Sequence, residues 1–390
     1  MKIALVLEKF DIRRGGAERS SYELAEALAG AGHEVTLLAG EVKVEQFESL
    51  PFGIIHLPVR AKTRTGWWRD FQRVLAEHLG KGDYDIVHSM VAVGGVDVFQ
   101  PRGGSIRYSA RRHALSYKGT ISIAIKQALS CLNLARAARI RAEGKICRGH
   151  EGPILAALSS YVQEQFEGQY SMLPSRVRLI RSGIDITKLR NSRAKEQGEK
   201  LRKLYDQNGD LALFIFAAEN LRLKGLSNLL YAAQRAVELR STQRDFRMLV
   251  VSSGKFGRYY RLAQELELGN RVIFLGSTSQ MPALLHMADA VVLPTYNDAC
   301  SRMVLEGLAA GRPAITTRFN GAADFLGEGK YGIVLEDGED AEELARALLT
   351  MCDKHEARKR AMAIEADKLY EEVWVQRHAR ELVELYEEIR

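Results

Sequence analysis

The sequence predicts an α/β protein built from two doubly wound domains. Short apolar runs alternate with amphipathic stretches along most of the 390 residues. Strands that alternate with helices pair in parallel, with each helix as the crossover between two strands. The length corresponds to two domains of roughly 100–200 residues each. The composition, with 46% hydrophobic and 27% charged residues, is typical of globular domains that bury a sizeable core.

The first domain begins with a short apolar run, Ile3–Leu7, which is predicted to be a buried strand. Gly15 and Gly16 follow it. Ala17–Ala29 then has apolar residues at helical spacing, and Gly30 ends this helix. Further strands of the first domain are predicted at residues 35–38, 54–57, 86–88, 154–158 and 177–180.

The pattern is interrupted at Ser182-Gly183, which is predicted to be the linker. Strands of a second series are predicted at residues 213–217, 248–251, 272–275, 290–293, 314–316 and 332–335. The last stretch, Glu371–Arg390, is predicted to be a helix whose apolar face carries Trp374, Leu382, Leu385 and Tyr386. We therefore predict an N-terminal domain over 1–180, with helix 371–390 packed back on it, and a C-terminal domain over 181–370.

Charge and cysteine content restrict the partners and the compartment. The formal net charge is +7 and the pI is about 9.1, which favours anionic partners. The four cysteines have no C-x-x-C spacing, which argues against a zinc site and for a reducing compartment. No apolar run approaches the ~18 residues of a spanning helix, and the first run is too short for a signal peptide. We expect a cytoplasmic protein.

A glycine-rich turn follows the first strand. Arg13-Arg14-Gly15-Gly16-Ala17 opens the first helix, where a phosphate or sugar can approach backbone N–H groups at a positive helix end. Gly15 and Gly16 are therefore candidate ligand contacts. An ordinary turn between strand and helix is the alternative, because glycine is common in turns.

A pair of cations follows the first strand of the second domain. Arg222 and Lys224 stand just before a predicted helix, and two cations at a helix N-terminus suit a diphosphate. Solvated surface cations are the alternative interpretation.

The third motif runs from Pro294 to Glu306, from a strand end into a helix. Its two carboxylates, Asp298 and Glu306, are candidates to bind hydroxyl groups of a sugar and a ribose. Between them, the backbone N–H groups of residues at the helix start can bind phosphate or sugar; these residues are Cys300, Ser301, Arg302 and Met303. As alternatives, Asp298 caps the helix and Glu306 forms a salt bridge with Arg302.

Together these stretches resemble the family-4 glycosyltransferases of the GT-B fold. The resemblance covers most of the chain and rests on 15–19, 32–35, 85–88, 182–185, 222–225 and 298–313. Within that family, Gly94–Val98 and Ala290–Asn320 are most similar to the lipopolysaccharide core glucosyltransferases. The chain departs from the family pattern at three positions: Asp298 replaces a glutamate, Ser301 a glycine and Ser182 an asparagine.

The resemblance implies a retaining, metal-independent enzyme. It would transfer a hexose, glucose by the nearest branch, from a UDP-sugar to a lipopolysaccharide core or related glycolipid, with no cofactor. Residues 1–180 and the last helix would bind the acceptor, and 181–370 the donor. Arg222 and Lys224 would stabilise the departing diphosphate, Asp298 would contact the donor sugar, and Glu306 the ribose.

Residues 101–150 are strongly basic, and Glu143 is their only acid. Isoleucines and leucines lie between the cations, a composition typical of a cationic amphipathic segment on an anionic membrane. The candidates for acceptor or membrane contact are Arg107, Arg111, Arg112, His113 and Lys118. A solvated helix is the alternative, and a solvated surface histidine is favoured for His113. Nucleic acid is disfavoured, because aromatic interleaving and recognition motifs are missing.

Other functions on the same fold remain open at this point. A degenerate protein would bind nucleotide or glycan without turnover, and a sugar phosphorylase or epimerase would use the same domains. Asp83-Tyr84-Asp85 has the spacing of a metal-binding D-x-D motif, but it precedes a strand instead of following one, so no metal is expected there.

Overall fold

A computed structural model describes residues 1–11, 15–43, 49–117, 119–131 and 133–390. It divides into two compact units. Unit 1 comprises Met1–Gly183 and Val375–Arg390, and unit 2 comprises Ile184–Trp374. The predicted boundaries at 180 and 371 lie within a few residues of these divisions. Arg13, Arg14, Lys118 and Leu132 lie outside the described residues.

Unit 1 is a parallel sheet with helices. Its strands are β1 (Lys2–Asp11), β2 (Glu34–Lys43), β3 (Gly53–His56), β4 (Ile86–Ser89), β5 (Val98–Phe99), β6 (Ile154–Ala157) and β7 (Val177–Leu179). They pair in parallel in the order β3-β2-β1-β4-β5-β6-β7. Its helices are α1 (Gly16–Gly30), α2 (Arg64–Leu79), α3 (Ile106–Leu115), α4 (Thr120–Cys131), α5 (Leu134–Cys147) and α6 (Ser160–Tyr170).

Unit 2 repeats this architecture. Its strands are β8 (Leu211–Ala217), β9 (Asp245–Val251), β10 (Val272–Leu275), β11 (Ala290–Leu293), β12 (Ala314–Thr317) and β13 (Gly332–Leu335), in the parallel order β10-β9-β8-β11-β12-β13. Its helices are α7 (Ser192–Tyr205), α8 (Leu226–Leu239), α9 (Gly257–Glu265), α10 (Met281–Met287), α11 (Arg302–Ala309), α12 (Ala341–Cys352), α13 (Lys354–Ala366) and α14 (Leu369–Glu372).

The sequence explains why the central strands are buried. Phe214, Ile215 and Phe216 of β8 are fully buried, as are Val291 and Val292 of β11. Continuous apolar runs of this kind are typical of parallel strands covered by helices on both faces. The two doubly wound sheets confirm the predicted fold class.

The last helix, α15 (Val375–Ile389), belongs to unit 1 and packs against α1. It begins at Val375, later than the predicted start at 371, because α14 ends at Glu372 and the chain turns between the two helices. Trp374 was predicted on the apolar face of this helix, and that was wrong. Trp374 lies in unit 2, where it forms a β-bridge with Ile184.

Candidate active site

The strand order of unit 2 reverses between β8 and β11. On one side of this point the chain proceeds outward to β9 and β10, and on the other side to β12 and β13. In a doubly wound sheet, ligands bind outside the carboxyl ends of the strands at such a switch point. The loop after β8 carries Arg222 and Lys224, and the loop after β11 carries Asp298.

Backbone contacts hold these two loops together. The carbonyl oxygen of Leu223 accepts hydrogen bonds from the backbone N–H of Tyr296 at 2.9 Å and from the Thr295 hydroxyl at 3.2 Å. Gly225 stands before α8 with φ +80°, and a Cβ there would lie 2.0 Å from the Pro294 oxygen. Only glycine fits this close approach, because both the space and the backbone conformation exclude a side chain.

Lys224 and Asp298 form an ion pair across the two loops. The ammonium donates to Oδ2 of Asp298 at 2.5 Å and to the Asn297 carbonyl oxygen at 3.2 Å. Both side chains are 19% exposed. The pair is therefore partly shielded from water, where a charge interaction is stronger than at an open surface. Asp298 does not cap α11, since the cap position belongs to Ser301.

Asn320 was not predicted, although it organises this loop. It is fully buried, and its Oδ1 accepts from the backbone N–H groups of Ser301 at 3.0 Å and Ala322 at 3.1 Å. Its Nδ2 donates to the Thr316 hydroxyl at 2.9 Å. Asn320 also forms a β-bridge with Asp298. A single asparagine after a strand reads as a turn residue in the sequence, so the sequence carries no signal for this role.

One backbone N–H group at the start of α11 was wrongly predicted to face a ligand. The Ser301 N–H was expected to face a ligand, but it donates to Asn320. Met303 is buried in the first turn of the helix and Cys300 is half-buried just before it. Arg302 and Glu306 form the ion pair given above as the local alternative, at 3.4 Å, with side chains 14% and 16% exposed.

Further polar groups lie at the same edge of the sheet. Glu219, after β8, pairs with the hydroxyl of Ser253, after β9. The Tyr296 hydroxyl accepts from Nδ2 of Asn228 at 2.9 Å. Burial raises the pKa of Tyr296, and Glu339 after β13 adds to this shift. Neither Glu219 nor Tyr296 was predicted as a site residue, because each needs the fold to bring its partner close.

Two family models match this chain. One, described as Glycosyltransferase Family 4, matches residues 14–188, and one, described as Glycosyl transferases group 1, matches residues 197–368. Each unit thus has its own match, and both sheets have the doubly wound form. The chain belongs to the GT-B glycosyltransferases.

Relatives of this glycosyltransferase are named for different acceptors. The D-inositol 3-phosphate glycosyltransferase of Thermobifida fusca is 27% identical over 341 residues, 84% of this chain and 74% of that protein. The lipopolysaccharide glucosyltransferase WaaG of Escherichia coli K12 is 23% identical over 369 residues, 89% and 88% of the two chains. The crystal structure of Anabaena Alr3699/HepE in complex with UDP-glucose has a TM-score of 0.70 at 16% identity and covers 100% of both chains.

The glycine turn of the glycosyltransferase lies in unit 1. Gly15 precedes α1 and Gly16 is its first residue. The Gly15 carbonyl oxygen accepts from the Arg19 N–H at 3.4 Å. The two glycines therefore stand at a helix N-terminus, as the sequence predicted, while Lys224 and Asp298 belong to unit 2.

Glu143, the acid of the basic segment 101–150, lies in the interior of the protein. Glu143 is fully buried and accepts hydrogen bonds from the Ile106 N–H at 3.0 Å and the Ser105 hydroxyl at 2.9 Å, both at the start of α3. Burial raises the pKa of Glu143. The exposed face of this segment therefore carries cations without a carboxylate from within the segment.

The segment exposes apolar side chains as well as cations. Ile121 is 74% exposed, Ile125 55% and Leu134 74%. Arg107 and Arg111 are exposed on α3, whereas Arg112 and His113 are half-buried. Arg139 points elsewhere, since it pairs with Glu8 at 2.7 Å and covers the Trp68 ring.

Both aspartates of the D-x-D stretch, Asp83 and Asp85, form ion pairs with other residues. Asp83 pairs with Lys2 at 3.0 Å, and Asp85 pairs with Arg390 at 2.8 Å. Within the described part of the chain, no group of three histidines, cysteines or carboxylates is arranged to hold a metal ion. No helix of the described residues is long and apolar enough to cross a bilayer.

Proposed function

We propose that this chain transfers a hexose, glucose, from a UDP-sugar to a lipopolysaccharide core or related glycolipid at the inner membrane surface, with retention of anomeric configuration. The observation that carries the proposal is the pairing of Lys224 with Asp298 at the switch point of unit 2, in a chain of glycosyltransferase family. Cations and carboxylates meet there on loops that two neighbouring strands position.

Lys224 is suited to bind the diphosphate of the donor. An ammonium group has three N–H donors, and Asp298 and Asn297 engage two of them. The third is available for a phosphate oxygen. Arg222 adds a second cation on the same loop, two residues before Lys224. The solved complex of the Anabaena protein with UDP-glucose supports a uridine donor.

Asp298 and Glu306 have separate roles in this proposal. Asp298 orients the ammonium of Lys224 with one oxygen, and its other oxygen accepts from a hydroxyl of the donor sugar. Glu306 lies two turns further on, inside α11, and accepts from the ribose. Its neighbour Arg302, 3.4 Å away, holds the carboxylate in position.

The reaction needs no side chain as a nucleophile. The acceptor hydroxyl oxygen forms a bond to the anomeric carbon on the face from which the diphosphate leaves, while the bond from that carbon to the diphosphate oxygen breaks. The departing diphosphate oxygen takes the hydroxyl proton. Lys224 and Arg222 stabilise the negative charge that develops on the diphosphate, an electrostatic contribution that is usually the largest in such catalysis.

Thermal unfolding with UDP, GDP, ADP and their glucose conjugates tests the donor. A nucleotide that binds only the folded protein stabilises it by about 2.7 kcal/mol at 100 times its dissociation constant. We expect a shift with UDP compounds that is lost in Lys224→Ala and Glu306→Ala. No shift with any nucleotide would favour the degenerate alternative, a protein that binds glycan without turnover.

Turnover tests the role of Lys224 and the absence of a metal. We expect Lys224→Ala to lower kcat at least ~100-fold, the size of effect reported for loss of one electrostatic donor. We expect EDTA to leave turnover unchanged, and the product to keep the anomeric configuration of the donor by NMR. Near-normal turnover of Lys224→Ala would remove Lys224 from the mechanism.

Two acceptor classes distinguish the relatives named above, a lipopolysaccharide core and an inositol phosphate. We propose the glycolipid, because the exposed isoleucines and cations on α3 and α4 suit a membrane surface. Transfer of labelled glucose to each acceptor decides between them. Phosphate-dependent release of sugar, or interconversion of the donor alone, would indicate a phosphorylase or an epimerase.

Membrane contact through residues 101–150 is part of the proposal. Each cation near an anionic bilayer contributes about 1 kcal/mol, and salt screens this attraction. We expect sedimentation with phosphatidylglycerol vesicles to fall as salt rises, and to fall further when Ile121 and Ile125 are both changed to Ser. Equal binding by a variant with the Lys and Arg residues of the segment changed to Gln would end this part of the proposal.

A further inference from the structure

A cleft in unit 1 lies between α3 and α6. It encloses about 590 Å³. Helix α3 contributes cations to it, and α6 contributes amide and carboxylate groups. Its lining residues include Arg107, Arg111, Tyr161, Glu164, Gln165 and Gln169.

The two arginines of this cleft are held side by side. Arg107 and Arg111 are four residues apart on α3, so they share one face of the helix. Both are exposed, and neither forms an ion pair with any residue in the described ranges. Glu164 is the carboxylate of the lining and is exposed on α6. The wall of the cleft therefore has two cations for one acid.

Gln165 of α6 has an amide donor that no described residue accepts. Its Oε1 accepts from the Ser105 N–H at 3.0 Å, and because a backbone N–H can only donate, this contact fixes which end of the amide is the oxygen. Its Nε2 is buried and has no hydrogen-bond partner among the described residues, and the Gln165 side chain is buried, with 4% exposed. The amide of Gln169 lies 2.8 Å from the Ser105 hydroxyl, which donates to Glu143.

A buried N–H donor without a partner is unfavourable, because it has lost its hydrogen bond to water. Such a group therefore favours any ligand that brings an acceptor oxygen to it. Gly104 supports the arrangement from the other side: it has φ +70°, and a Cβ there would lie 2.6 Å from Oε1 of Gln165. The backbone approaches the glutamine closely and holds its amide in place.

The remaining walls are aromatic or open. Tyr108 and Tyr161 both line the cleft and meet edge to face, with ring centroids 5.8 Å apart. Gly168 also lines it, and a Cβ at this position would meet nothing within 4 Å. The wall of the cleft is therefore open at Gly168.

We propose that this cleft binds a phosphate group carried on a sugar or polyol. Guanidinium groups match phosphate oxygens in pairs of hydrogen bonds, so Arg107 and Arg111 hold the phosphate. The Gln165 amide donates to a ligand oxygen, Glu164 accepts from a hydroxyl, and the tyrosines pack on the ring. The proposal rests on the proposed function in one respect, because Arg107 and Arg111 belong to the segment 101–150 that is proposed there to contact an anionic acceptor or membrane. It adds the group that they bind, and it involves neither the donor nor the residues of unit 2.

The same chemistry has two sources, a soluble sugar phosphate and the phosphate of a lipid headgroup. Glucose 6-phosphate tests the first by titration calorimetry on the full chain. Phosphatidylglycerol vesicles, compared with neutral phosphatidylcholine vesicles, test the second by sedimentation. Glucose and inorganic phosphate alone are the controls for the two halves of the ligand.

Two variants distinguish binding in the cleft from nonspecific attraction to surface charge. The double variant R107Q/R111Q removes the cations. Gly168→Leu fills the cleft and leaves every charge in place, and leucine suits a helix better than glycine. The double variant R64Q/R69Q, on α2, is the charge-matched control, because both of these arginines are exposed and lie outside the cleft.

We expect at least one phosphate probe to bind, with binding lowered at least ~10-fold in both R107Q/R111Q and Gly168→Leu and unchanged in R64Q/R69Q. Loss with glucose 6-phosphate assigns a soluble ligand, and loss with vesicles alone assigns a lipid headgroup. Binding of neither probe would overturn the proposal. So would binding that Gly168→Leu leaves intact, since that outcome means attraction by surface charge only.

Discussion

Asn320 shows how one buried side chain holds the loop that carries Asp298. Its carboxamide forms hydrogen bonds with Ser301, Ala322 and Thr316. Replacement by alanine would leave the buried N–H groups of Ser301 and Ala322 without this acceptor, at a cost of about 1–3 kcal/mol for each unsatisfied group, while the Thr316 hydroxyl keeps its bond to the Leu293 carbonyl oxygen. The loop would then lose the position from which Asp298 reaches Lys224.

We expect Asn320→Ala to destabilise the protein by about 2–4 kcal/mol and to weaken UDP binding. Urea unfolding and the thermal shift with UDP measure the two effects. Asn270→Ala is the matched control, because Asn270 is exposed. Unchanged urea midpoints for both variants would mean that the Asn320 contacts contribute nothing to stability.

The backbone conformation of Gly225 leads to a second prediction, which concerns stability and UDP binding. Its φ of +80° costs a side-chain-bearing residue about 1–2 kcal/mol, and the Cβ would also collide with the Pro294 oxygen. We therefore expect Gly225→Ala to lower the melting temperature and to abolish the UDP shift, because Lys224 is its neighbour. Gly257→Ala is the control, since a Cβ at Gly257 meets nothing within 4 Å.

The motif residues were predicted from sequence because they stand just after strand ends. Arg222, Lys224 and Asp298 follow apolar runs that are easy to recognise, and parallel strands bring such positions to one edge. Asn320 and Tyr296 also follow strands, but Asn320 reaches back to Ser301 across a whole helix, and the partner of Tyr296, Asn228, lies on another helix. Their roles depend on which side chains meet, which spacing alone does not give. The catalytic and donor-binding roles themselves stay predictions.

At the level of elements, β1 is longer than predicted for a physical reason. The apolar run ends at Leu7, yet the strand continues to Asp11. Glu8 pairs with Arg139 of α5 and Lys9 with Glu41 of β2, so both charged residues have ionic partners at the end of the strand. β5 was missed because Val98–Phe99 is too short to show any periodicity.

Helix α15 docks through a polar contact as well as an apolar face. His88 of β4 is fully buried and shares a hydrogen bond with the Tyr386 hydroxyl. His378 of α15 is also buried, and its Nδ1 lies 2.8 Å from the Arg181 carbonyl oxygen. Burial lowers the pKa of His88 to about 3 and the pKa of His378 well below its usual value, and Arg102 adds to both shifts.

These lowered pKa values predict how stability changes with pH. Below pH 6.5 the unfolded chain binds protons at these histidines and the folded chain does not, so the free energy of unfolding falls as pH drops. The stability is fully present above pH 6.5 and is lost progressively toward pH 3 for His88. Arg102 and Arg377 face the same region and make protonation still less favourable there.

We expect the urea midpoint to fall between pH 7.5 and pH 5.5, and to fall less in His88→Leu. That variant loses the hydrogen bond to Tyr386 at every pH, so its urea midpoint is lowered by a constant amount. The slope of the urea midpoint against pH is therefore the quantity to compare. His355→Leu is the control, because His355 is 86% exposed. His33 and His286 also have lowered pKa values, so some pH dependence remains. An identical slope in His88→Leu would show that His88 does not titrate on unfolding.

On the scale of the whole molecule, the chain enters and leaves unit 2 at neighbouring positions. The Ile184 N–H donates to the Val373 carbonyl oxygen at 2.9 Å, and Ile184 pairs with Trp374. Between these ends lie an entire sheet and its own core. Unit 1, by contrast, is made of two chain segments. An apolar face on a terminal helix needs a partner surface, and α15 packs against α1.

This organisation predicts that residues 184–374 fold alone, whereas residues 1–183 do not. Removal of α15 exposes the surface that Leu382, Leu385 and Tyr386 cover, and burial of each such side chain is worth about 1.5–3 kcal/mol. We expect the 184–374 segment to unfold cooperatively in urea and to keep the UDP shift of the full chain. We expect the 1–183 segment to aggregate, and to recover when 375–390 is attached through a flexible linker. Cooperative unfolding of 1–183 without α15, at the midpoint of the linked form, would mean that the last helix contributes little to unit 1.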